Sequence, residues 1–387
     1  MVLRRARPAS RRGGGGDNMK KQNRLRFLIL VAASFLFAVA RGEPQSLPAY
    51  PIDPASITVS GVSSGAYMAH QFHVAHSSTV SGAGILAGGP YNCAGNDYPL
   101  NVWKALNQCA DFPDLVPFFG PPELAPSIES TKEAARKGAI DNPAHLRNDR
   151  VYLFSGTLDE IVPQAVTDVV AAYYREYVET DHVLYVDNVP AGHGMITKDY
   201  GGACDGSEPP FFNDCDYDAA GELLRHLYGA LSPPGEWLGD GMLAFDQGEF
   251  IADPEAHGMH RRGHIYVPAD CAAGVRCRLH IAFHGCQQHQ GVIADTFYTR
   301  SGYNEWAEAN NIVILYPQAA PLTTLGLPWP NPAGCWDWWG YTGDDHHLKS
   351  GAQVAAVKAM IDRITGGMLM VGREEGASFK RASTNNL

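Results

Sequence analysis

The sequence is poor in positive charge, and this scarcity excludes two kinds of partner. Its 387 residues include 30 Lys and Arg against 41 Asp and Glu, which gives a formal net charge of −11. Residues 1–40 hold nine of the basic residues and one Asp, so the rest of the chain carries 21 against 40, or −19. Such a surface repels phosphate backbones and anionic lipids. We therefore expect no nucleic acid and no membrane surface as partners, and a neutral substrate fits the charge better.

The N-terminal apolar run is too short to span a bilayer. It covers residues 27–40, a length of 14 residues, whereas a spanning helix needs about 20. The small residues Ala38-Val39-Ala40 end this run, and a basic segment precedes it, with Lys20, Lys21, Arg24 and Arg26. This order predicts an upstream extension and a secretory signal peptide over residues 1–40, with Met19 as a second possible start. The protein is then secreted or periplasmic, and an N-terminal membrane anchor is the alternative interpretation.

The sequence also lacks Cys-x-x-Cys pairs, which argues against a structural zinc site. Its eight cysteines all follow residue 40, and the closest two, Cys271 and Cys277, are too far apart for a typical zinc half-site. An even number of cysteines after a signal peptide predicts disulfide bonds in an oxidising compartment. Spacing does not determine which cysteines pair. Pairing of neighbours is the simplest arrangement, namely Cys93 with Cys109, Cys204 with Cys215, Cys271 with Cys277, and Cys286 with Cys335.

No internal repeat and no long Ser/Thr/Pro-rich linker divides the chain. One large domain is therefore expected over residues 41–371, followed by a polar, flexible tail over residues 372–387. Strand-length apolar runs recur at residues 56–60, 82–87, 150–155, 182–186, 279–283 and 312–316. Helical patterns lie between them, at residues 66–75, 167–178, 219–228, 304–309 and 351–364. Buried strands that alternate with helices predict an α/β fold with a mostly parallel, doubly wound sheet, which places its functional residues at the carboxyl ends of the strands.

A serine flanked by glycines lies between the first predicted strand and the first predicted helix. The segment Gly61-Val62-Ser63-Ser64-Gly65 has the G-x-S-x-G pattern. This pattern is typical of the nucleophile elbow of α/β-hydrolases, where a tight turn raises the hydroxyl above the sheet. The first turn of the helix also offers N–H groups to a developing oxyanion. We interpret Ser63 as a nucleophile, and a chance match in a chain with 41 Gly is the alternative.

Two further strand ends supply the partners that a serine nucleophile needs. Asp159 follows the strand at residues 150–155 after a glycine turn, where a carboxylate can orient a histidine. His193 lies in a Gly-flanked loop after the strand at residues 182–186, a position that suits a general base. The order Ser63, Asp159, His193 is the chain order of α/β-hydrolase triads. Asp187, six residues before His193, is the rival carboxylate.

The segment His284-Gly285-Cys286 ends another predicted strand. In α/β-hydrolases an HG-type turn after the third strand supplies an N–H group to the oxyanion hole, and it precedes the nucleophile. Here it comes more than 200 residues after Ser63. A helix, a strand and the helix at residues 351–364 then follow in the usual order. These observations predict an α/β-hydrolase fold that is circularly permuted, with the segments that should precede the nucleophile moved to the far end of the chain.

Five segments together resemble the circularly permuted catalytic domain of poly(3-hydroxybutyrate) depolymerases, namely GVSSGAYMA, FSGTLDEIVP, AGHG, FHGCQQ and GCWDWWGY. The resemblance covers nearly the whole chain after residue 40. It implies a serine esterase with Ser63 as nucleophile, His193 as general base and acid, and Asp159 as the orienting carboxylate. It also implies an oxyanion hole formed by the backbone N–H groups of Ser64 and Cys286, and a reaction that needs no metal and no organic cofactor.

The same resemblance places the Trp-rich segment at residues 335–339 near the substrate cleft. Trp336 would then contact a polyester. Core packing is the alternative for these tryptophans, because large aromatic side chains are mostly buried.

Several questions about the substrate stay open at this stage. Extracellular family members that attack crystalline polymer often carry a linker and a polymer-binding domain, whereas this chain ends soon after its last predicted helix. Amorphous polymer or soluble oligomers are therefore equally reasonable substrates. Feruloyl or acetyl esters on polysaccharide would suit the same triad, and a non-catalytic polymer-binding protein is a rival of another class. The sequence does not indicate the oligomeric state.

Overall fold

The computed structural model describes residues 44–97, 99–112, 118–237, 239–322 and 331–367. The predicted signal segment at residues 1–40 and the predicted tail at residues 372–387 lie outside these ranges. Within them, no helix combines the length and the apolar character needed to cross a membrane. The α/β architecture expected from the sequence is confirmed.

Most of the described strands join one large sheet. In chain order the strands are β1 Ile52–Val62, β2 Gly82–Leu86, β3 Arg150–Phe154, β4 Val183–Val186, β5 Met195–Thr197, β6 Gly202–Ala203, β7 Phe212–Asp214, β8 Met242–Asp246, β9 Arg262–Tyr266, β10 Cys277–Phe283 and β11 Ile312–Tyr316. The large sheet has the order β4-β3-β2-β1-β10-β11-β9-β8. Its first six strands run parallel, and β9 and β8 continue it antiparallel at one edge. The small sheet β5-β7-β6 stands apart from it.

Helices cover both faces of the large sheet. In chain order they are α1 Ser64–Ala75, α2 Leu100–Lys104, α3 Leu124–Arg136, α4 Gln164–Arg175, α5 Ala219–Tyr228, α6 Ala269–Ala272, α7 Gln290–Ile293, α8 Thr296–Arg300, α9 Tyr303–Asn310 and α10 Ala352–Ile364. A π-helical turn, Ala105–Cys109, continues α2. Every residue of α1 is buried, so this helix lies between the sheet and the outer elements.

Side chains alternate between two apolar layers along the central strands, as the pleat of a strand requires. On β3, Val151 and Leu153 pack into the core that also holds α1, α4 and α10. Tyr152 and Phe154 pack into the opposite core with α5 and α9. Parallel strands need this cover on both faces, because their connections run over the sheet rather than along its edge.

The predicted circular permutation is confirmed by the pairing of β1 and by a contact of the residues just before it. β1 pairs in parallel with β10, so that Gly61 lies opposite Phe283 although more than 200 residues separate them. The Tyr50 N–H, just before β1, donates to the Ile364 carbonyl at the end of α10, at 2.7 Å. α10 therefore leads in space into β1, the strand that precedes Ser63. Residues 229–237 run along α9 on their way to β8, since the Gly235 N–H donates to the Glu305 carbonyl at 2.8 Å.

Candidate active site

Ser63 lies in the sharp turn between β1 and α1. Its backbone has φ 55° and ψ −126°, a conformation that costs a non-glycine residue free energy. The surrounding chain holds this turn in place. The Ser63 N–H donates to the Leu86 carbonyl on β2 at 3.0 Å, and the Ser63 carbonyl accepts the Ala66 N–H at 2.8 Å. The geometry is that of a nucleophile elbow.

The two glycines of the elbow are required by close backbone contacts. A Cβ atom on Gly61 would lie 2.1 Å from the Gly65 carbonyl oxygen. A Cβ atom on Gly65 would lie 2.3 Å from the Phe283 carbonyl oxygen, at the end of β10. The start of α1 therefore lies directly against the turn that follows β10.

His193 and Asp159 form a buried pair at the ends of neighbouring strands. His193 Nδ1 lies 2.8 Å from Asp159 Oδ2. The other carboxylate oxygen, Oδ1, accepts the N–H groups of Ile161 at 2.9 Å and Val162 at 2.8 Å. A carboxylate beside Nδ1 makes that nitrogen the protonated one, so Nε2 can accept a proton. Asp187, the rival carboxylate, is exposed.

The loop that carries His193 is fixed by the segment that includes the small sheet. The His193 N–H donates to Ser207 Oγ at 2.8 Å, and the Gly192 N–H donates to the Cys204 carbonyl at 2.8 Å. A disulfide bond joins Cys204 to Cys215, next to β7. The backbone on both sides of the histidine is thus tied to a cross-linked segment, which limits the movement of the imidazole.

The turn after β10 controls the direction of the Cys286 N–H. The Gly285 carbonyl accepts two hydrogen bonds, one from His284 Nδ1–H at 2.8 Å and one from the Gln288 N–H at 3.2 Å. His284 Nε2 accepts the Ala319 N–H at 3.0 Å, so Nδ1 carries the proton. Complete burial lowers the pKa of His284 to about 3, which keeps this imidazole neutral. In a trans peptide the C=O and N–H groups point in opposite directions, so fixing the Gly285 carbonyl also fixes the Cys286 N–H.

Ser64 supplies the other predicted oxyanion donor. It is the first residue of α1, and the N–H groups of a first helical turn have no partner within the helix. The positive end of the helix dipole lies at the same place and favours negative charge. Ser64 Oγ makes a separate hydrogen bond, because it accepts the backbone N–H of Trp336 at 3.3 Å.

A cavity of about 120 Å³ brings the predicted residues together. Ser63, His193 and Cys286 line it, and Asp159 stands behind His193. Apolar side chains form much of the remaining wall, namely those of Val62, Phe112, Ile161 and Phe211. A nucleophile, a base and an oxyanion donor around an apolar cavity can hydrolyse an uncharged ester.

The eight cysteines are joined in four pairs, each between neighbours in the sequence. The S–S distances are 2.08 Å for Cys93–Cys109, 2.04 Å for Cys204–Cys215, 2.00 Å for Cys271–Cys277 and 2.12 Å for Cys286–Cys335. The last bond ties Cys286 to the Trp-rich segment. The sulfur of Cys286 is therefore committed to a disulfide bond, and only its backbone N–H could serve as the predicted oxyanion donor.

Trp336 is completely buried. Its ring packs against Phe283 and His284, with ring centroids 5.1 Å and 5.5 Å away. This placement agrees with the core-packing alternative. The indole Nε1 has no hydrogen-bond partner among the described residues, and contact between Trp336 and a substrate stays a prediction. The neighbouring Trp338 stacks on Tyr67 of α1, with ring centroids 4.3 Å apart.

Sequence reasoning missed several residues that shape the site. The apolar wall formed by Phe112, Ile161 and Phe211 was not predicted, because these residues come from three separate loops. Gln288 was also missed, although it lies only two residues after Cys286. Its amide joins the Phe211 segment to the turn at residues 284–288, called the oxyanion turn after the role predicted for Cys286. No local pattern indicates this contact.

Two characterised relatives were found by sequence. The chain is 41% identical over 332 residues to the poly(3-hydroxybutyrate) depolymerase of Delftia acidovorans, which covers 83% of this chain and 62% of the relative. The chain thus spans less than two thirds of that relative's length. It is 35% identical over 345 residues to the polyhydroxybutyrate depolymerase of Talaromyces funiculosus, covering 85% of this chain and 96% of the relative. No protein-family model matches the chain.

Two solved structures have a similar fold. One is a PHB depolymerase with a serine-to-alanine substitution, in complex with an R3HB trimer, at a TM-score of 0.75. The other is the PHB depolymerase from Penicillium funiculosum, at a TM-score of 0.74. Each is 34% identical to this chain and covers 84% of it, and the alignment includes 99% of either structure.

Proposed function

The chain belongs to the polyhydroxybutyrate depolymerase family, and on this premise we propose that it is a serine esterase acting on poly(3-hydroxybutyrate) or its oligomers. The observation that carries the proposal is the convergence of Ser63, the His193–Asp159 pair and Cys286 on one apolar cavity. The related structure with a bound R3HB trimer supports an oligomeric or polymeric ester as the substrate.

The reaction begins with attack by Ser63. His193 Nε2 accepts the Ser63 hydroxyl proton while Oγ bonds to the ester carbonyl carbon. Asp159 keeps the proton of the imidazole on Nδ1 and stabilises the positive charge that forms on the ring. The buried pair is oriented before substrate arrives, so this step needs little rearrangement of the protein.

The oxyanion that forms on the carbonyl oxygen is stabilised by the N–H groups of Ser64 and Cys286. The first lies at the positive end of α1. The Cys286 N–H is oriented by the two hydrogen bonds that the Gly285 carbonyl accepts, from His284 Nδ1 and from the Gln288 N–H. Because both donors are fixed by the fold, they stabilise the charge of the transition state without a reorganisation cost.

Collapse of the tetrahedral intermediate breaks the ester C–O bond. His193 returns its proton to the leaving oxygen, which departs as the hydroxyl end of a polymer fragment. Water then attacks the acyl-enzyme and loses a proton to His193. When the bond from the acyl carbon to Ser63 Oγ breaks, His193 returns this proton to Oγ, which releases a carboxylic acid and regenerates Ser63. The residues that carry these steps need no metal and no organic cofactor.

The compartment and the extent of the catalytic domain are part of the proposal. Four disulfide bonds fit an oxidising environment. We therefore place the protein outside the cytoplasm, either secreted or periplasmic, with a signal peptide removed from residues 1–40. A single catalytic domain over residues 41–371 would then act on the polyester.

The substrate is tested by comparing ester classes with the purified protein. We expect release of 3-hydroxybutyrate oligomers or monomers from amorphous polymer and from the soluble trimer, measured by liquid chromatography and mass spectrometry. Native and crystalline granules should be included as separate samples, because they distinguish attack on amorphous polymer from attack on crystalline polymer. Feruloyl and acetyl esters on polysaccharide serve as the alternative substrates. Faster turnover of those esters than of the hydroxybutyrate trimer would overturn the assignment.

A further inference from the structure

Gln288 is buried beside the active-site cavity with both ends of its amide hydrogen-bonded. The residue is 1% exposed and lines the cavity. Its Oε1 accepts the Gly285 N–H at 2.8 Å. Its Nε2 donates to the Phe211 carbonyl at 2.8 Å and to the Pro210 carbonyl at 3.3 Å. One side chain thereby joins two segments that lie 77 residues apart in the sequence.

The Oε1 end acts on the turn that presents Cys286. The Gly285 N–H is bound by the side chain of Gln288, and the Gly285 carbonyl is bound by its backbone N–H at 3.2 Å. The intervening Gln287 has φ 60°, a conformation that persists in a non-glycine residue only where neighbouring contacts impose it. Gln288 therefore binds both the N–H and the carbonyl of Gly285, the residue that precedes the proposed oxyanion donor Cys286.

The Nε2 end acts on the segment packed against the catalytic histidine. The Phe211 carbonyl also accepts the Met195 N–H at 2.7 Å, two residues after His193. The Phe211 ring meets the His193 ring edge to face, with centroids 6.2 Å apart. Phe211 itself has φ 58°. Two donors on one carbonyl thus hold a strained residue against the imidazole.

We propose that Gln288 is a positioning residue that sets the oxyanion-hole peptide at Cys286 relative to the loop of His193. The proposal rests on the esterase function proposed above. It does not require Gln288 to touch the reacting atoms. Oxyanion donors act on the transition state more than on bound substrate, so loss of their position lowers kcat and leaves KM nearly unchanged.

The first test replaces the amide with an apolar side chain of similar length, Gln288→Met. On p-nitrophenyl butyrate we expect kcat to fall about 10- to 100-fold, less than the roughly 10²- to 10³-fold cost of removing one oxyanion donor, because the Cys286 N–H is displaced rather than removed. KM should change less than about threefold. Phosphonylation of Ser63 by a fluorophosphonate should slow in parallel, because the phosphoryl oxygen uses the same N–H donors. Unchanged kcat and unchanged phosphonylation would overturn the proposal.

The matched control is Gln247→Met. Gln247 is also fully buried, its Oε1 accepts the Gln318 N–H at 3.0 Å, and its Nε2 donates to the carbonyls of Gln318 and His260. This bridge does not contact the cavity. We expect a similar fall in melting temperature for both variants, with kcat retained in the control. Equal losses of kcat in both variants would assign Gln288 a merely structural role.

A second variant, Gln288→Glu, gives a pH signature. An ionised carboxylate still accepts the Gly285 N–H but faces the Phe211 and Pro210 carbonyls without a proton to donate. A protonated carboxyl can donate to Phe211 as the amide does. The ratio of variant to wild-type kcat should therefore rise as pH is lowered. A ratio that stays flat or falls contradicts the positioning role.

The same measurements separate failure of this proposal from failure of the proposed function. A wild-type protein that reacts with the phosphonate but not with hydroxybutyrate oligomers would disprove the polyester assignment, while the Gln288 comparison still stands on the phosphonate rates. A wild-type protein that reacts with neither overturns both.

Discussion

At the residue scale, two histidines are held in fixed tautomers for different purposes. Asp159 binds Nδ1 of His193, which directs Nε2 toward proton transfer. Ala319 donates to Nε2 of His284, which turns Nδ1 into a donor to the Gly285 carbonyl. Burial lowers the pKa of His284 to about 3, so this imidazole stays neutral. Under the proposed function, His193 serves the chemistry and His284 serves the orientation of the turn after β10.

The role of Asp159 is tested by Asp159→Asn. An amide beside Nδ1 favours the wrong imidazole tautomer, with the proton on Nε2, so His193 can no longer accept the proton of Ser63. We expect kcat to fall about 10³- to 10⁴-fold on a soluble ester, with KM nearly unchanged. The fold should persist, since the side-chain oxygen can still accept the N–H groups of Ile161 and Val162.

Asp187→Asn is the matched control for this prediction. Asp187 is the carboxylate that sequence reasoning left as a rival, and its side chain is exposed. The variant should keep kcat within a few-fold of wild type. A large loss in Asp187→Asn together with a small loss in Asp159→Asn would reverse the assignment.

At the element scale, the strands and helices with strong apolar patterns could be predicted from the sequence. The runs at residues 56–60 and 279–283 became β1 and β10, and the pattern at residues 219–228 became α5. These elements are buried in the two cores, so their apolar residues recur at the spacing that packing requires. The triad candidates could be proposed from the sequence because each comes after a predicted strand, Ser63 directly after β1 and the other two in the loops after β3 and β4.

Elements with weak apolar patterns were missed. The fully buried residues of α3, Leu124–Arg136, are Ser127, Thr131 and Ala134. The apolar side chains that it packs against the core, such as Leu124 and Ile128, are only partly buried, so its apolar pattern is weak. β8 lies at the sheet edge and keeps only Phe245 fully buried. The bridge from Gln288 to Phe211 was missed because it depends on tertiary contact between distant segments rather than on local pattern.

The Cys286–Cys335 bond should affect both stability and activity. Replacing both cysteines with alanine removes a cross-link that closes 49 residues, worth about 4 kcal/mol by the chain-entropy relation. It also releases the oxyanion turn from the Trp-rich segment, so kcat should fall. Urea unfolding and kcat on a soluble ester measure the two effects.

The double replacement of Cys271 and Cys277 is the matched control for that disulfide. It opens a bond across only 6 residues, worth about 2 kcal/mol by the same relation. This pair lies at β10's start, at the opposite end of the strand from the oxyanion turn. It should lower stability less and leave kcat unchanged. Equal losses of kcat in both double variants would show that the effect on activity is not specific to the oxyanion turn.

At the scale of the whole molecule, the chain order can be changed while the sheet is kept. The Tyr50 N–H meets the Ile364 carbonyl at 2.7 Å, so a short Gly-rich linker can join residue 367 to residue 48. New termini can be opened between residues 232 and 237, which come after α5 and before β8 in the chain. We expect this rearranged protein to fold and to keep its kcat within about tenfold, measured by circular dichroism and ester hydrolysis. An unfolded product would contradict the assigned junction.

Stability should fall in acid because several histidines are buried in neutral form. Burial lowers the pKa of His70, His280 and His284 to about 3 each, against about 6.5 in an unfolded chain. Between these values the unfolded state binds more protons. Each histidine then lowers the free energy of unfolding by about 1.4 kcal/mol for every pH unit of acidification. Above about pH 6.5 these histidines no longer make the free energy of unfolding depend on pH.

Urea unfolding between pH 4 and pH 7 measures this slope, and His280→Gln is the variant that isolates one group. His280 bridges Thr58 and Ser60 of the nucleophile strand at 2.7 Å each. Whatever its effect on total stability, the variant should take up about one proton fewer per molecule on unfolding near pH 5. A slope identical to that of wild type would show that His280 is protonated in the folded protein.

The account as a whole depends on Ser63 as the nucleophile of a polyester hydrolase. The most direct measurement is the rate at which purified Ser63→Ala protein releases hydroxybutyrate products from a poly(3-hydroxybutyrate) suspension. Wild type and Ser56→Ala, a control on the strand β1 that precedes Ser63, are measured beside it. We predict activity in the wild type and the control, and a loss of several orders of magnitude in Ser63→Ala. Product release by Ser63→Ala at a rate near that of wild type would contradict the account.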